Sequence, residues 1–146
     1  MRATCIAVLL LGLLLGLQLV ATGAARADDW PRALACTFNT GNAATQTDGV
    51  FKQTPASPLA FEVRSIDLEG QAAHMITKAG APPATVRIVR ALNANHFIEV
   101  LNEGFLGLTT VYDKDASGLF PAVHSRHVGV FGQAVVAQYT GTCKAN

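Results

Sequence analysis

The densest group of chemically capable side chains is His124-Ser125-Arg126-His127, set between Pro121 and Val128. In an extended strand successive side chains point to opposite faces. His124 and Arg126 therefore share one face, and Ser125 and His127 share the other. Arg126 offers a planar fork of donors that matches a carboxylate or a phosphate. With His124 beside it, and Tyr112 reaching in from another strand, it forms a candidate ligand-binding set. The competing use of Arg126 is internal, as the ion-pair partner of Asp67 or Glu99 with the histidines hydrogen-bonded near a strand end. The same alternation weakens two other chemistries. The two histidines point apart, so they cannot share a metal without a bulge, and further ligands would have to come from His74 or His96. No His-x-x-x-His or Cys-x-x-Cys is present, so the sequence calls for no metal and no cofactor. Ser125 diverges from its neighbours, and no Gly-x-Ser-x-Gly elbow occurs, which leaves no nucleophile–base pair and predicts no catalytic residue.

Three further groups imitate functional motifs. Asp113-Lys114-Asp115-Ala116-Ser117-Gly118 copies the first half of a calcium loop, but its twelfth position is His124 where a bidentate glutamate is required, so it reads as a polar hairpin turn. Asp67 and Glu69 are close enough to suggest an acid–base pair for glycoside cleavage, yet their place beside Gly70 makes them solvated turn residues. Glu99 and Glu103 read as surface residues. Gly104-Phe105-Leu106-Gly107 has no lysine or following helix and is not a phosphate loop.

The elements that position these residues read as strands. Residues 34–39 form a first strand. Residues 40–58, rich in Thr, Asn, Gln, Gly, Ala and Pro, read as a long loop with a short strand near 50–53. From residue 59 the chain alternates: Leu59, Phe61 and Val63 point one way, Glu62 and Arg64 the other. Strands follow at 71–77, 85–92, 96–101, 106–112, 121–130 and 133–140, separated by turns at 69–70, 79–83, 93–95, 102–104, 113–118 and 131–132. About eight strands at hairpin spacing, with no helix after the first 27 residues, predict an all-β antiparallel meander closing into a barrel-like sheet; a β-sandwich is the alternative. The aromatic residues supply a core. Phe105 and Phe120, beside turns, and Phe51, in the polar segment, are the candidates for a ligand mouth or a partner surface.

Residues 1–27 have the three parts of a secretory signal: Arg2, a leucine-rich stretch over 6–20, and Ala25-Arg26-Ala27 as a small-x-small cleavage pattern. An uncleaved membrane anchor over residues 6–23 is the alternative. Cys5 leaves with the leader, and no cysteine stands at the cleavage site for a lipid anchor. The whole chain of 146 residues has 11 Lys+Arg and 10 Asp+Glu. Arg2 and Arg26 are the only charges in the leader, so residues 28–146 have one net negative charge and suit a single domain. That near-neutrality excludes nucleic-acid binding by phosphate neutralisation and attachment to an anionic membrane surface. Cys36 and Cys143 remain, near the two ends of the domain. In an oxidising compartment they predict one disulfide closing a loop of about 100 residues, against the alternative of two buried thiols.

The sequence thus leads to an expectation of a secreted or periplasmic, non-catalytic binding domain for a small ligand, through Arg126, His124 and Tyr112. The alternative is a protein-binding envelope accessory or inhibitor acting through residues 40–58.

Overall fold

Each stretch that alternates in sequence is a strand with one face turned inward. The computed structural model describes residues 30–101, 104–130 and 132–146. Over them run nine strands: β1 (Leu34–Thr47), β2 (Val50–Pro55), β3 (Leu59–Asp67), β4 (Ala72–Ile76), β5 (Ala84–Arg90), β6 (Ala94–Leu101), β7 (Phe105–Tyr112), β8 (Phe120–Val130) and β9 (Gln133–Ala145). From β3 to β9 every strand pairs antiparallel with the next, and β1 pairs with β3 on one side and β9 on the other. Eight strands thus close into a barrel, which settles the choice between barrel and sandwich. Closure leaves the eight strands without a free edge.

The inward faces fill the barrel. Leu34, Phe38, Val63, Val86, Ile88, Phe97 and Val111 are fully buried. Cys36 and Cys143 are direct partners in the β1–β9 register and form the disulfide, so the bridge sits on the seam that closes the sheet. Strand β9 runs past Thr140 to Ala145 and places Cys143 inside the ladder. A bulge in β1 between Thr37 and Thr40 lets the strand bend as it passes the seam.

Residues 40–58 are not a loop. The far half of β1 and all of β2 form a hairpin, Asn42–Thr47 against Val50–Pro55, with β2 as the ninth strand outside the closed eight. Asp48 and Gly49 take φ of 52° and 79°, the left-handed pair of a type I′ turn whose twist suits a two-residue hairpin. The segment lacks alternation because β2 is exposed on both faces, so backbone pairing, not burial, holds it extended. A second correction concerns residues 93–95. The turn ends at Asn93, and Ala94 and Asn95 are already buried in β6. The leader expected over residues 1–27, with its cleavage pattern, lies outside the described residues. Among those residues no helix is long and apolar enough to cross a membrane.

Candidate functional site: a polar row inside the barrel

Strand β8 delivers its side chains as alternation requires. His124 is buried and Arg126 half-buried on the inner face, while His127 is exposed on the outer one. The register then builds a site around them. Thr109 stands opposite His124, Gly107 opposite Arg126, and Glu99 opposite Gly107. Continuing round the barrel, Arg126 faces Ala137, which faces Ala43. One layer of the interior is therefore Glu99, Gly107, Arg126, Ala137 and Ala43: two long ionisable side chains and three of the smallest residues. Glycine at 107 makes room for the Glu99 side chain, since a Cβ there would lie 3.2 Å from its Oε2.

The hydrogen bonds fix the state of His124. Arg126 donates its Nε–H to Nε2 of His124 at 3.1 Å. Guanidinium only donates, so Nε2 is the unprotonated nitrogen. Nδ1 then has the hydrogen and donates it to Thr109 Oγ1 at 2.8 Å. The ring is neutral, walled by Phe61, Phe38 and Tyr139 with centroids 5.1, 5.8 and 6.0 Å away. Burial, reinforced by the Arg126 charge, pushes its pKa down to about 4. Glu99 is 3% exposed. Burial pushes its carboxyl above the ordinary range, and the Arg126 charge pulls it part of the way back. Glu99 is thus a core residue and not the surface residue its type suggests, and of the two acids it is the one whose carboxyl feels the Arg126 charge. Asp67 is not: its Oδ1 accepts the backbone N–H groups of Glu69 and Gly70 in the turn after β3.

Within this arrangement His124 is not available as a base. The one free lone pair of the His124 imidazole is taken by Arg126. Ser125 lies on the outer face, where its Oγ accepts from Gln138 Nε2 and, among the described residues, bonds no histidine. His96 bonds Thr110 on the outer side, and among the described residues no three His, Cys, Asp or Glu side chains converge on a metal position. Asp115 organises its turn by accepting from Ser117 Oγ, Ser117 N and Leu119 N, and the Ser117 hydroxyl leads the bonds that hold its pKa low.

Of the three sequence-predicted ligand residues, the structure brings Arg126 and His124 together and leaves Tyr112 apart. Tyr112 is exposed at the far end of β7, five residues and roughly 17 Å along the strand from Gly107, on the opposite face. Phe120 is packed in the core, 5% exposed. No known protein family, curated protein or solved structure matches the chain.

Proposed function

We propose that the domain is an exported, non-catalytic binding protein for a small molecule with an acidic group. The leader and the disulfide support export. The observation that supports the ligand is the interior layer of Glu99, Gly107, Arg126, Ala137 and Ala43. A core layer filled for stability alone would hold apolar side chains; this one holds an arginine facing three residues that fill little space. Among the described residues the guanidinium makes its hydrogen bond through Nε, so its two terminal nitrogens are the donors offered to a carboxylate or phosphate. His124, pinned and neutral, positions the fork. Glu99 keeps the empty site close to charge balance, and its raised pKa lets it take up a proton when an anion arrives.

Native mass spectrometry of protein purified from its own host tests this. The expected result is a bound small mass that denaturation releases and that Arg126→Ala protein lacks. Protein that arrives without a bound mass, and binds no carboxylate or phosphate in calorimetry, overturns it.

A second reading has its own observation. The β1–β2 hairpin holds Val50 at 62% and Phe51 at 51% exposure, an apolar tip suited to a protein partner. A protein that co-purifies with the wild type and is lost on Phe51→Ala supports that reading.

A further inference from the structure

The outside of the barrel is divided by charge. Strands β3 to β5 show solvent an ordinary mixed surface, with Glu62, Arg64 and Arg87 exposed or half-buried on their outer faces. The outer faces of β6, β7, β8, β9 and β1 differ. Among their described outward residues none is Asp, Glu, Lys or Arg until Lys144, at the far end of β9. Strand β2 continues this face with Phe51, Gln53 and Pro55, because the register sets them beside Gln46, Ala44 and Asn42. Large apolar side chains are exposed here: Val100 at 67%, Phe51 at 51% and Leu106 at 42%.

The face also has a recess. An open groove of about 470 Å³ is bounded on the outer side by Val100, Leu106, His127, Gly129, Ala134 and Val136. Its floor is Gly129, where an added Cβ would meet nothing within 4 Å. The register sets the spacing between recess and projection. Gly129 is opposite Ala134, the Thr45–Val135 pair brings Gln46 beside Ala134, and Gln46 is opposite Phe51. Gly129 and Phe51 are thus ends of one row, three strand spacings or about 14 Å apart.

We propose that two copies of this chain pack face to face through the outer surface of β8, β9, β1 and β2, each seating its Phe51 in the groove over Gly129 of the other. A two-fold axis lying in the contact plane, parallel to the strands and between β9 and β1, exchanges the two ends of the row. It lays each Phe51 over the second copy's Gly129 and each Ala134 over the second copy's Gln46. Such an interface must be self-complementary, and this face has both projection and recess. Charge selects the same occupant. A charged partner would lose hydration against a surface with no counter-charge, whereas a second copy brings an equally uncharged one. The contact is small: the four strands span about 14 Å and the β8 positions 121–129 about 27 Å, roughly 390 Å² in projection per copy, the size of a weak interface that forms at micromolar concentration. The pairing is independent of the interior polar row, and its test does not involve Arg126 or His124.

Sedimentation velocity on purified protein, with circular dichroism as the fold control, tests the pairing. Phe51 is half exposed and Gly129 faces open space, so Phe51→Glu and Gly129→Arg both leave the barrel intact; Phe51→Ala replaces either if it misfolds. Wild type sediments as a dimer at tens of micromolar. Each variant alone dissociates at least tenfold more readily. An equimolar mixture of Phe51→Glu and Gly129→Arg restores the dimer, since one seat is then wild type and the other sets a carboxylate against a guanidinium. Wild-type protein that stays monomeric, a dimer indifferent to both variants, or a mixture that fails to associate overturns the proposal.

Discussion

Arg126 donates to Nε2 of His124 from two residues along the same strand face, at 3.1 Å, and so fixes a neutral imidazole in the barrel interior. Stability then depends on pH with a definite sign. The folded pKa of His124, about 4, lies below the ordinary 6.5. Between those values the unfolded chain binds more protons, so stability falls as pH drops from 6.5 to 4 and changes no further from this group below that. The loss is about 3 kcal/mol. Glu99 acts in the opposite sense: its pKa is raised from 4.5, so its contribution is complete below 4.5 and declines as pH rises through the folded value. Chemical denaturation at pH 7, 5.5 and 4 will show wild type weakening with acid, and His124→Gln will flatten that dependence. An unchanged slope in the variant would refute the assignment.

How far this arrangement was legible in sequence varies with burial. The alternation of 121–130 put His124 and Arg126 on one face and Ser125 and His127 on the other, and the structure turns the first face inward and the second outward. Glu99 was legible by the same rule, two residues from Phe97 on one strand, but its charge argued for the surface and hid it. Tyr112 follows buried Val111, so alternation alone turns it outward. The 40–58 hairpin had no alternation to read, since neither face of β2 is covered; its signal was Asp48-Gly49, the dipeptide a type I′ turn favours. Gly107 and Ala137 reveal their role only when register places them beside Arg126.

Glu99 and Arg126 should behave as a coupled pair across Gly107. Arg126→Met removes the neighbouring cation and leaves a buried carboxyl, at a cost of about 3 kcal/mol near neutral pH. Glu99→Gln keeps the shape and costs less. The double variant should lose less than the two single losses combined, with a coupling of about 1–3 kcal/mol in denaturation midpoints. Strict additivity would mean the two groups do not interact. Gly107→Ala, which crowds Oε2 of Glu99, should lose about 1–3 kcal/mol by overpacking the same layer.

Two glycines on adjoining strands should respond oppositely to alanine. A Cβ at Gly141 would collide with the Thr37 carbonyl oxygen and approach the Phe38 Cα to 2.8 Å. Both are backbone atoms at the β1 bulge, so nothing flexible can yield. Gly141→Ala should cost at least about 2 kcal/mol. Gly129→Ala projects into open space and should stay within about 0.5 kcal/mol of wild type. Thermal denaturation of the pair compares them directly, and equal losses would contradict the close approach of β9 to β1.

The Cys36–Cys143 bridge closes a separation of 107 residues, which in the chain-entropy model contributes about 4–5 kcal/mol by restricting the unfolded chain. It joins residues that the β1–β9 ladder already pairs, so the folded barrel does not need it for closure. Intact mass should rise by two hydrogens on reduction. The Cys36→Ala/Cys143→Ala variant should keep the β-rich circular dichroism spectrum and lose about 2–5 kcal/mol in urea. Most of that loss should appear as slower refolding, because unbridged ends must find each other across the whole sequence before β1 can meet β9. A variant that refolds at the wild-type rate would show that the seam forms after the rate-limiting step.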